Sequence, residues 1–71
     1  MIKGNFEIII ASSPEREKVF CEIFYKDQFI CDISQESEIL LLGIYAPSIQ
    51  IPFDEFQEAI TAAKHHLLGD A

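Results

Sequence analysis

Basic residues are scarce in this sequence: five Lys and Arg stand against twelve Asp and Glu, for a formal net charge of −7 over 71 residues. A surface of that sign repels nucleic-acid phosphates, which proteins ordinarily meet with Lys and Arg, so direct nucleic-acid binding is not expected. It also repels anionic membrane surfaces and draws basic partners inward. Long hydrophobic runs are missing as well. A run such as residues 39–42 falls far short of the ~20 apolar residues that a membrane-spanning helix needs. Residues 1–5 lead directly into an alternating segment, without the charged and then apolar build of a secretory signal. A cytoplasmic protein with no membrane partner is the expectation.

Glycine is equally sparse. Gly4, Gly43 and Gly69 are scattered, and neither dinucleotide-binding nor P-loop spacing occurs. The two histidines, His65 and His66, are sequence neighbours, so on a helix they point about 100° apart and do not converge on one metal. No Cys stands at a zinc-ligand spacing from them. Ser12, Ser13 and Ser34 have no base beside them in sequence and read as turn formers. The expectation is a protein without catalytic residues, metal or cofactor, and not an enzyme. Cys21 and Cys31 lie among Phe and Ile. In a reducing compartment such residues are free core thiols, a disulfide across the hairpin being the alternative.

What the chain does have is apolar mass: 49% of its residues, with six Phe and two Tyr. That rules against disorder and supports one small domain. Residues 6–11 place Phe6, Ile8 and Ile10 on one face and Glu7 and Ile9 on the other, the period of a strand. Pro14 and its polar neighbours break this strand. Further strands are expected at about 18–25, 29–34 and 38–45, with a turn at Lys26-Asp27-Gln28. Residues 49–51 either add a short fifth strand or lead into a helix over 53–68. That helix carries Phe53, Phe56, Ile60, Ala63 and Leu67 as its apolar stripe. Asp54, Glu55 and Glu58 in its first turns and Lys64, His65 and His66 in its last suit the macrodipole, and Gly69 fits a left-handed C-terminal position. The predicted fold is α+β: a three- to four-stranded antiparallel meander with one C-terminal amphipathic helix on one face.

One helix covers one face of a sheet, yet the second and fourth strands carry apolar residues on both. A surplus of this kind marks an interaction surface. Phe20, Phe24 and Tyr25 are the candidate anchors, with Glu22, Asp32, Glu36 and Glu38 as acceptors for a partner's Lys or Arg. In one of two possible hairpin registers, Glu22 and Asp32 face each other. Like charges so placed are unfavourable unless a cation is received between them.

The segments Phe6-Glu7-Ile8-Ile9-Ile10, Pro14-Glu15-Arg16-Glu17, Cys21-Glu22-Ile23-Phe24-Tyr25-Lys26-Asp27, Asp32-Ile33-Ser34-Gln35-Glu36 and Phe53-Asp54-Glu55-Phe56 together resemble small immunity proteins of bacterial contact-dependent growth inhibition and related polymorphic toxin systems. The resemblance covers most of the chain. It departs from the pattern at the two cysteines and at Gln28, where a turn glycine would be easier. It implies a cytosolic protein that binds a cognate toxin domain, often a basic nuclease, and blocks its active or functional surface. No site residue follows from the resemblance itself. A homodimer or adaptor that uses the spare apolar face is the alternative.

Overall fold

The alternation of residues 6–11 and the helical period of residues 53–68 generate the two layers of the molecule, an antiparallel sheet and one helix laid across it. The computed structural model describes residues 1–69. In chain order the elements are β1 (Ile2–Lys3), β2 (Phe6–Ala11), β3 (Phe20–Tyr25), β4 (Gln28–Ser34), β5 (Leu41–Ile44) and α1 (Phe53–Leu68). Every strand pairs antiparallel with its sequence neighbour, so spatial order follows chain order. The fold is α+β, as expected, but the sheet has five strands. The fifth is β1 at the N-terminus, too short to show any periodicity. Residues 49–51 form no strand; they lead into α1, with Ile51 packed against the core.

The β3–β4 hairpin settles the register. Lys26 and Asp27 both have positive φ, 48° and 67°, so the turn has two residues of type I′ geometry, the form that matches strand twist. Gln28 is already in the strand, opposite Tyr25, which is why no glycine is needed there. The pairing then shifts: Phe24 faces Phe29, but Ile23 faces Cys31, leaving Ile30 as the extra residue of a β-bulge. Beyond the bulge, Glu22 faces Asp32 and Cys21 faces Ile33.

The helix side of the sheet carries Phe6, Ile8, Cys21, Ile23, Tyr25, Cys31 and Ile33, all buried. Against them α1 sets Ala59 and Ala63, both without solvent exposure, and Leu67. Two alanines at the centre of the stripe allow the helix axis to lie close to β2 and β3. Phe53, expected in the stripe, is instead 74% exposed, because it precedes the first turn that reaches the sheet. Acidic side chains occupy the first turn and histidines the last. Gly69 ends the helix at φ 73°, its N–H donating to the His65 carbonyl.

The helix leaves β5 uncovered. Leu42 and Ile44 stand on the helix side, opposite Ile33 and Cys31, yet remain exposed. The strand is also shorter than the expected 38–45, and Ile39 projects into solvent ahead of it. Among the described residues, no helix is long and apolar enough to cross a membrane.

Candidate functional site

On the face away from the helix, the register sorts side chains into three rows. Glu7, Phe24 and Phe29 form the first, Ile9, Glu22, Asp32 and Gly43 the second, and Ala11 with Phe20 and Ser34 with Leu41 the third. The centre of this face is closed by the chain's own groups. Asp32, only 5% exposed, accepts hydrogen bonds from Arg16 Nη2 and from the Tyr45 hydroxyl, each at 3.2 Å. Arg16 lies with its guanidinium carbon 4.1 Å from the centroid of the Phe20 ring. Gly43 makes room for this cluster. A Cβ there would sit 2.6 Å from the Tyr45 hydroxyl oxygen and 2.7 Å from Asp32 Oδ1.

Arg16 reaches this position because the β2–β3 loop is fastened at both ends. Ser13 Oγ accepts from the Glu15 N–H, and the Ser13 carbonyl accepts from the Arg16 N–H, closing a local turn. Glu36 then receives the N–H groups of Glu17 at 2.8 Å and Lys18 at 2.9 Å on its two carboxylate oxygens. These bonds hold the Glu36 carboxyl below its ordinary pKa, the Glu17 amide contributing most. Gln35 adds a bond from Nε2 to the Val19 carbonyl.

This geometry redistributes the seven residues singled out from sequence. Asp32 is occupied by Arg16 of the same chain, so the cation inferred from the Glu22–Asp32 juxtaposition is supplied internally. Glu36 is a loop clamp. Tyr25, expected on the interaction surface, packs instead on the helix side, buried in the core with its ring 4.8 Å from Phe6. Phe20 is half-buried beneath Arg16. Glu22 and Phe24 do lie on the open face, both half-buried, and Glu38 is exposed on the loop before β5. The one ion pair among the described residues is Arg16–Asp32, which leaves Glu22 without a cation.

Two aromatic residues were missed. Phe29 bridges Phe24 and Tyr45, at 5.4 Å from each, stacking on Tyr45 with an interplanar angle of 18°. Together they make an aromatic strip that runs across the open face to the sheet edge, with Tyr45 57% exposed and Ile9 38% exposed nearby. The signal for Phe29 was its place two residues after a two-residue turn, as Phe24 is two before it, which sets the two opposite each other. The signal for Tyr45 was weaker, since it follows β5 and acts through its reach.

Among the described residues, no group of three or more His, Cys, Asp or Glu side chains is placed to hold a metal ion. Cys21 and Cys31 are free and buried, and burial pushes both thiols up to about 11, which keeps them protonated and unreactive near neutral pH. What the open face offers is apolar surface and charge: an aromatic strip bordered by Glu22 and the exposed Glu7. No protein-family model matches the chain, and no curated protein or solved structure matches it.

Proposed function

We propose that this chain is an immunity protein that neutralises a basic toxin domain by covering its functional surface with the helix-free face of the sheet. The observation that carries the reading is the Phe24–Phe29–Tyr45 strip, accessible beside a carboxylate, Glu22, that lacks a cation. Interfaces draw most of their affinity from a few aromatic anchors ringed by polar groups, and this strip has that build. The net charge of −7 supplies the long-range attraction for a Lys- and Arg-rich partner. The resemblance of segments such as Asp32-Ile33-Ser34-Gln35-Glu36 to immunity proteins points the same way. In this reading, Phe24, Phe29 and Tyr45 anchor the contact. Glu7, Glu22 and Glu38 meet the partner's cations, while Asp32, Arg16 and Glu36 keep the face rigid.

The test is a titration with the polypeptide encoded immediately upstream of this one, at low and high salt. The expected result is nanomolar binding that weakens as salt rises. The Phe24→Ala/Phe29→Ala variant, still folded by circular dichroism, should bind at least about tenfold more weakly. Binding that ignores both salt and these substitutions would place the contact on another surface.

A further inference from the structure

The two edges of the sheet are finished differently. β1 is two residues long and ends on Lys3, so it offers little to pair with. β5 carries no charge and no proline within the strand, and among the described residues no element pairs with or covers its outer edge. Its residues Leu41, Leu42 and Ile44 are 49%, 47% and 70% exposed. It also lies in an uncharged tract. From Ile39 through Phe53, fifteen consecutive residues include no Asp, Glu, Lys, Arg or His in a chain where 24% are charged. The carboxylate beside this edge, Asp32 opposite Gly43, is already paired with Arg16, so the strand itself adds no unpaired charge to repel a like copy.

We infer that β5 is the docking edge for a second copy of this chain, pairing antiparallel about a two-fold axis through Gly43. The hydrogen-bond phase of the strand permits this. The Tyr45 N–H donates inward to the Ile30 carbonyl at 2.9 Å. Alternation therefore turns the amides of Leu42 and Ile44 outward. A two-fold axis normal to the sheet reverses strand direction and keeps both helices on the same side, so partners must come from matching faces. Leu42 then meets Ile44 of the second copy and Ile44 meets its Leu42, both as hydrogen-bonded pairs on the helix side. Leu41 meets Tyr45 on the open side. Gly43 crosses Gly43 at the axis, where a side chain would crowd the approach.

The same contact extends into an apolar groove beside the edge. It has a volume of 260 Å³ and is lined by Ile30, Ile44, Ile49, Ile51, Phe53 and Phe56, among others. Leu41, Leu42, Ile44, Tyr45 and the 74%-exposed Phe53 offer on the order of 100 Å² each. The total for two copies is roughly 1,000 Å², at the lower bound of specific interfaces. An interface this small favours weak association, so the dimer is expected in the micromolar range, and a partner of opposite charge is not needed to explain it. The inference does not depend on toxin binding. The two surfaces meet at Tyr45, but the Leu42–Ile44 pairs lie on the helix side and the Phe24–Phe29 contact on the open side, so substitutions at each test one surface without the other.

Sedimentation equilibrium on the full chain, over about 1–200 µM, reads the outcome directly. The expected result is a shift from 8.1 kDa toward twice that mass as concentration rises. Leu42→Lys/Ile44→Lys places like charges opposite each other across both pairs and should weaken association at least about 100-fold. Both positions are exposed, so its circular dichroism should match that of the parent. Mixing Leu42→Lys with Ile44→Glu should restore a dimer, because the proposed register sets those two positions opposite each other. A parent chain that stays at 8.1 kDa throughout overturns the inference. So does a dimer that persists unchanged in the double-lysine variant.

Discussion

Asp32 shows how much at the residue scale depends on a neighbour that periodicity does not reveal. The sequence placed it opposite Glu22 in only one of two hairpin registers, and the structure selects that one. The source of its cation was not legible, because Arg16 arrives from a loop pinned by Glu36, twenty residues further along the chain. A buried carboxylate of this kind is tolerated where its acceptor oxygens are satisfied, and the Tyr45 hydroxyl and Arg16 do so. Gly43 is the hidden condition. Gly43→Ala forces its methyl against both the Tyr45 ring end and Asp32 Oδ1. Alanine in a strand would otherwise be favourable by roughly 0.5–1 kcal/mol. The overpacking should outweigh this, giving a net loss of about 1–2 kcal/mol. Urea unfolding should show a lower midpoint at unchanged slope. A midpoint equal to or above that of the parent would mean that the cluster yields freely and Gly43 is not needed for packing.

The elements with a strong period were the legible ones. Phe6, Ile8 and their alternation located β2 to the residue, and the bounds of α1 matched, because Pro52 and Gly69 mark its ends. β1 was invisible because two residues carry no period. The register beyond Ile23 was undetermined for a different reason: a β-bulge at Ile30 is an insertion that leaves the local hydrophobic pattern unchanged. The helix stripe was read with Phe53 in it and without Ala59, since hydrophobicity alone does not show which position approaches the sheet most closely. The alanines at 59 and 63 set the helix–sheet spacing, and both are fully enclosed. Ala63→Leu should therefore cost about 1–3 kcal/mol by lifting the helix, whereas Phe53→Ala, at an exposed site, should change stability by less than about 0.5 kcal/mol. Thermal unfolding of the two variants at equal, low concentration separates them. Equal losses would place Phe53 in the core after all.

For the whole molecule, the sheet gathers its two thiols into the one environment where they resist ionisation. Cys21 and Cys31 sit on the helix side, enclosed, and burial pushes each up to about 11 from an ordinary 9.0. The unfolded chain thus releases these protons at lower pH than the folded one. Between pH 9 and 11 the unfolded state binds fewer protons, so stability falls as pH rises through that window. By pH 10 the loss should reach roughly 1 kcal/mol per thiol. The acid limb has the opposite sign. Glu36 is held below its ordinary 4.5, so its contribution is complete above that value and is lost as pH falls through its folded pKa. The chain should be most stable between these limbs. Urea midpoints measured from pH 3 to pH 10 should trace a plateau with both shoulders. Cys21→Val/Cys31→Val, which keeps apolar bulk and removes the titrating sulfur, should flatten the alkaline shoulder and leave the acid one. An alkaline fall of the same size in that variant would assign it to other groups, and the enclosed thiols would then be electrostatically silent.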